Sequence, residues 1–319
     1  MKAIKILICL FLLLPIAIKA EQIRFNKQQQ EEHYTFNYQW LDHNKQQQVM
    51  SFDLSKPALF ERFRMLRPYQ AENAQKTILR SVRKVIKNEP LKGAQAIFKQ
   101  QDGKMVIQVK GLDDESVALA YQKVQEIEKE ATDVFFKTNY FEPFITHDNV
   151  SAIKLDHVSI ANDSVADFKT LKPIILEKVS IQNIREVTNF VLSFVQGIPY
   201  STLESRVSSS GAGFNPPAKL LWENQGDCDS KVTLTAAILR ALMPRIEMAM
   251  IFIDQHAFIG IAIPANAGEM TIEHQGVNYL LGEPTGPAQY SLGKIAPDSE
   301  LAVNQGRYVA QAFHSDGTF

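Results

Sequence analysis

Apolar residues recur with two different periods along this chain, and the changes of period divide it into segments. Tyr34, Phe36, Tyr38 and Trp40 alternate with Thr35, Asn37 and Gln39, which predicts a strand with one buried face. The glutamine triplets Gln28-Gln29-Gln30 and Gln46-Gln47-Gln48 on either side read as solvated turns. From Ser55 to Asn88 the spacing becomes helical. Leu59, Phe60, Phe63 and Leu66 make a first run, Pro68 interrupts it, and Ile78, Val82, Val85 and Ile86 make a second. Asp102-Gly103 between Ala96-Ile97-Phe98 and Met105-Val106-Ile107 predicts a β-hairpin. A long helix follows, capped by Asp113 or Asp114, with Val117, Tyr121, Val124, Ile127, Ala131 and Phe135 on one face. Residues 141–178 read as an extended connection with short strands at 150–155 and 158–161.

Beyond this connection Ile184, Val187, Val191 and Phe194 predict a helix over 181–195, ended by Ile198-Pro199-Tyr200. A loop of small residues runs from Ser208 to Gly213. A strongly apolar helix then spans 230–242, with Val232, Leu234, Ala236, Ile238 and Leu239, and stops at Pro244. Three apolar runs read as strands: Met248 to Asp254, a second headed by His256, and a third from Val277 that ends in Glu283. The fold class is therefore α+β, with a mixed N-terminal domain over 21–165 and a second domain over 166–319.

The first residues change the arithmetic of charge and cysteine. Lys2 and Lys5, an apolar run from Ile6 to Ile18 and Ala20 before Glu21 match a secretory signal peptide over 1–20. The 319-residue chain has 34 basic and 35 acidic residues; loss of Lys2, Lys5 and Lys19 would take the net charge from −1 to −4. That balance gives no electrostatic reason to expect nucleic acid. Cys9 would leave too, so the exported chain would keep only Cys228, and no internal disulfide is available to it.

Cys228 sits at the start of the apolar helix, just after Gly226-Asp227. A helix N-terminus offers unpaired N–H groups and about half a unit of positive charge, which favours thiolate over thiol. Gly226 would let a substrate carbonyl approach the backbone. With His256 at the head of one strand and Glu283 at the end of another, thiol, imidazole and carboxylate are available as nucleophile, base and orienting acid.

These pieces resemble the bacterial transglutaminase-like superfamily. The resemblance rests on Ile198-Pro199-Tyr200-Ser201, on Gly226-Asp227-Cys228-Asp229-Ser230-Lys231 with the helix after it, on His256-Ala257, and on Glu283-Pro284-Thr285. It covers about 181–295, in the order cysteine, histidine, acid. It implies a papain-like core, with Cys228 as nucleophile, His256 as general base and Glu283 as the acid, although that position is more often aspartate in the family. It implies attack on peptide or protein amides through a thioester. The Cys228 N–H would stabilise the oxyanion with a second donor upstream, for which Gln225 and Trp222 are candidates.

No cofactor is implied. The other histidines show no metal-ligand spacing, and no phosphate-binding or dinucleotide glycine pattern occurs. Asp227 and Asp229 would be the ligands of a calcium ion, without an EF-hand pattern to support one. The expected protein is an exported, periplasmic thiol hydrolase acting on a peptide or protein substrate, with an envelope partner conceivable for the N-terminal domain. A transamidase with the same residues and a non-catalytic binding module are the alternatives.

Overall fold

The computed structural model describes residues 21–101, 104–205 and 213–314. The expected leader, the Asp102-Gly103 turn and most of the Ser208–Gly213 loop lie outside the described residues. Strands β1 (Gln22–Gln29), β2 (His33–Leu41) and β3 (Gln47–Ser55) form an antiparallel sheet in that order. Phe36, Tyr38 and Trp40 of β2 are buried as their alternation predicts, together with Met50, Phe52 and Leu54 of β3. Most of the glutamines expected in turns are instead in strands: Gln28 pairs with Thr35, and Gln48 with Trp40. Backbone pairing with an amphipathic neighbour asks nothing apolar of an outward side chain.

Ser55 caps α1 (Lys56–Phe60), accepting from the Ala58 N–H at 3.3 Å. After the interruption around Pro68 come α2 (Ala71–Asn88), the two-stranded β4 (Ala94–Gln101) and β5 (Lys104–Gly111), and α3 (Asp114–Asn139). Asp113 is the residue that caps α3, accepting from the Ser116 N–H at 2.7 Å. A hairpin, β6 (Phe141–Ile145) and β7 (Ser151–Leu155), follows. The strand expected at 158–161 is a helix, α4 (His157–Ser164). Asp156 caps it through the Ser159 N–H, and four residues are too few to tell one period from another. A 3₁₀ turn (Val165–Phe168), α5 (Leu171–Leu176), α6 (Ile184–Gly197), α7 (Pro217–Glu223) and α8 (Cys228–Leu242) complete the helical part before the main sheet.

That sheet joins β8 (Met248–Ile253), β9 (His256–Ile261), β10 (Thr271–His274), β11 (Val277–Gly282) and, after α9 (Pro297–Asn304), β12 (Val309–Phe313). Its order is β10-β11-β9-β8-β12, antiparallel throughout. The molecule is thus a mixed α+β fold with several antiparallel sheets. Helix α8 is buried along almost its whole length, against α4, α6, α7 and β9. The same apolar core takes in β2 and β3. Trp40 lies 5.4 Å from the Phe190 ring and donates to Ser193 Oγ at 3.1 Å, while the Tyr38 hydroxyl donates to the Leu221 carbonyl at 3.1 Å. The residues before and after position 165 therefore share one core. Among the described residues no helix is long and apolar enough to cross a membrane.

Candidate active site

Cys228 is the first residue of α8, and Asp227 is its cap. The Asp227 carboxylate accepts from the Ser230 N–H at 3.0 Å, and its carbonyl accepts from the Lys231 N–H at 3.0 Å. The Lys231 bond is the first of the helix; of the amides before it, that of Ser230 goes to the cap, and those of Cys228 and Asp229 have no partner in the helix. Burial pushes the Asp227 carboxyl up to about 6, with the Ser230 hydrogen bond pulling the other way and Asp229 adding to the rise.

His256 meets Cys228 from the sheet. Strands β8 and β9 are joined by the two-residue turn Asp254-Gln255, where Gln255 takes a positive φ of 57°. His256 is thereby placed as the first residue of β9. Its Nδ1 lies 2.7 Å from Cys228 Sγ, and its Nε2 is hydrogen-bonded to Glu283 Oε1. Burial alone would depress the imidazole; the hydrogen bonds and charges of Cys228 and Glu283 outweigh it and carry His256 up to about 10. The turn is braced from outside, for His147 Nε2 contacts Asp254 at 3.0 Å and Arg307 lies 3.7 Å from it.

Glu283 follows the last residue of β11 and is 1% exposed. Its second carboxylate oxygen accepts from the Ala296 N–H at 3.2 Å. Its carbonyl accepts from Gln196 Nε2 at 2.6 Å, and that amide also donates to the Tyr290 carbonyl at 2.8 Å. His43, from the turn between β2 and β3, joins the group at Gln196 Oε1 and the Tyr290 carbonyl. Burial lowers His43, and those hydrogen bonds oppose the fall. Cys228, His256 and Glu283, named from sequence, thus form one hydrogen-bonded chain.

Trp222 and Gly226 serve packing and the backbone around the helix start. Trp222 is committed elsewhere: its ring packs against Tyr34 and Phe60 at 4.7 and 5.0 Å, beneath the Lys27 ammonium at 3.5 Å. Gly226 is small for packing, since a Cβ there would lie 2.6 Å from Leu220 Cδ1. Its N–H donates to the Pro199 carbonyl and its carbonyl accepts from the Ser201 N–H, so the 199–201 segment, not a substrate, occupies its backbone. Gln225 holds the turn before the helix, its carbonyl accepting from Asn215 Nδ2 at 3.3 Å.

Two residues beside the thiol carried no role in the sequence reading. The Tyr200 side chain lies near enough to Cys228 for their charges to interact; burial raises its hydroxyl, and the charges of Cys228 and Asp227 add to the rise. Lys231 is fully buried, and its Nζ donates to the Ile198 carbonyl at 2.5 Å. Burial brings its ammonium down to about 7, against the pull of Cys228 and Asp227. Sequence offered one signal for each: a tyrosine in the segment quoted for the resemblance, and a lysine at a helical position otherwise filled by apolar side chains.

Asp227 and Asp229 do not converge as calcium ligands would. Asp227 caps the helix and Asp229 faces His157, 3.7 Å away. Among the described residues no three histidine, cysteine, aspartate or glutamate side chains gather as a metal site requires. Compared with protein-family models, curated proteins and solved structures, the chain matches none.

Proposed function

We propose that the protein is a thiol hydrolase of transglutaminase-like type, exported to a periplasm, that cleaves peptide or protein amides through a thioester. The observation that carries this reading is the Cys228–His256–Glu283 chain, with the sulfur at a helix N-terminus and the imidazole gripped on both nitrogens. The helix bearing Cys228 against a sheet bearing the histidine and the acid is the arrangement a papain-like core would have.

The imidazole takes the thiol proton on Nδ1, and the rise of His256 to about 10 favours the imidazolium partner of a thiolate. The sulfur attacks the carbonyl carbon, and the new oxyanion meets the Cys228 N–H at the helix mouth. The Tyr200 hydroxyl, whose titration feels the charge of Cys228, joins Gln225 as a candidate second donor in place of Trp222. Collapse breaks the C–N bond, and the leaving amine takes the proton from Nδ1. Water, deprotonated by the now neutral His256, then cleaves the thioester to a carboxylate and restores the thiol. Glu283 keeps the ring oriented and stabilises its charged form.

Mass spectrometry of the protein quenched in acid during turnover of a p-nitrophenyl ester tests this reading. An acyl group on Cys228, absent from Cys228→Ala, is expected. Ester turnover at equal rates in both proteins would overturn it.

A further inference from the structure

A cavity of about 230 Å³ opens between α1 with the residues after it and the start of α7. Leu59, Phe63, Leu66 and Phe214 give it an apolar lining. Arg64, Arg67 and Lys219 also line it, and no acidic side chain does. Among the described residues no carboxylate pairs with Arg64 or Arg67; Arg67 Nη1 donates only to the carbonyls of Arg64 and Leu66, and Lys219 lies 3.6 Å from Glu223.

The cavity is tied to the nucleophile's helix. The Phe214 ring packs on His157 at 5.0 Å, and the Asn215 N–H donates to Ser230 Oγ at 2.8 Å, within the first turn of α8. The segment that carries Phe214 and Pro216 is thus anchored to the first turn of the helix that Cys228 begins. The volume is below that of a drug-sized ligand site and matches one large side chain rather than a long acyl chain.

We infer that this cavity is a recognition subsite for a polypeptide, seating one large apolar side chain whose flanking carboxylates meet Arg64, Arg67 and Lys219. Apolar burial supplies the anchor, and charge complementarity supplies the selection and the approach. The inference deepens the thiol-hydrolase reading and rests on it for the fate of the bound chain: the substrate would be an acidic polypeptide segment with an aromatic or branched aliphatic residue.

The test reads binding alone, in the full chain carrying Cys228→Ala, by anisotropy of a fluorescein-labelled, end-blocked pentapeptide with phenylalanine between pairs of glutamates. This probe is expected to bind at least about tenfold tighter than versions with a central alanine or with lysines for the glutamates. Arg64→Glu with Arg67→Glu should reverse the preference between the glutamate and lysine probes. A probe with benzoylphenylalanine at the centre should photo-crosslink within 58–68 or 214–216, a readout that needs no variant of the cavity. Equal affinity for the alanine probe, crosslinking confined to other segments, or displacement by dodecanoate at lower concentration than by the unlabelled peptide would overturn the inference. Failure of the thiol chemistry would show separately, in the alkylation of Cys228.

Discussion

Glu283 reaches His256 along a diagonal of the sheet. Gly282 pairs with Ile259, so the next residue, Glu283, falls opposite Phe258 and two residues short of the position facing His256. Diagonal neighbours on one face stand about 7–8 Å apart, a gap that the extra methylene of glutamate helps to span. Glu283→Gln is expected to lower kcat on the order of 10²–10⁴-fold, as loss of the orienting acid does in other triads. Glu283→Asp should also lose at least about tenfold, in steady-state ester or amide turnover, because the shorter carboxylate falls away from Nε2; full activity in the aspartate variant would refute the diagonal account. Lys231 makes a second claim at this scale. Its ammonium is held near 7 in the folded chain against an unfolded value of 10.5, so between these values the unfolded state binds more protons. Its contribution to stability therefore rises with pH across about 7–10.5, and below 7 the full cost of burying the charge is present. The unfolding free energy of wild type minus that of Lys231→Met, measured by denaturant at several pH values, should rise across this window with a slope of up to ~1.4 kcal/mol per unit. A flat difference would mean that Lys231 is protonated throughout.

At the scale of elements, the start of α8 is built by the pairing of Gly226 with the 199–201 segment as much as by the helix itself. Gly226→Ala would drive a methyl into Leu220 and is expected to cost about 1–3 kcal/mol, seen as a lowered Tm. An unchanged Tm would show that Leu220 yields freely. The contrast explains what sequence made legible. Cys228, His256 and Glu283 stand at the ends of strongly apolar elements, so local pattern locates them, and their order suffices to suggest one site. Trp222 and Gly226 owe their roles to Tyr34, Phe60 and residues 199–201, and long-range packing of that kind leaves no mark in local spacing. β1 is polar on its exposed side and β10 is only four residues long, so neither gives a period to read. The segment at 158–161 failed for the opposite reason: it is apolar enough for either period, and the Asp156 cap decides for the helix.

Over the whole molecule, the first sheet and the candidate site are one construction. The sequence reading divides the chain at residue 165, yet Tyr38 and Trp40 pack on α6, and His43 reaches through Gln196 to the strand end that carries Glu283. A chain truncated to 166–319 should therefore lack cooperative unfolding by calorimetry, since Phe190 and Phe194 would lose their aromatic partners. A sharp transition from that fragment would instead mark 165 as a true boundary. His256 lies against the Cys228 sulfur as its activating base, and the most direct measurement of that role is the rate of Cys228 alkylation by iodoacetamide at about pH 7, in wild type and in His256→Ala. Labelling is expected to be rapid in wild type and at least about tenfold slower in the variant. Equal rates in the two proteins would contradict the activation of Cys228 by His256.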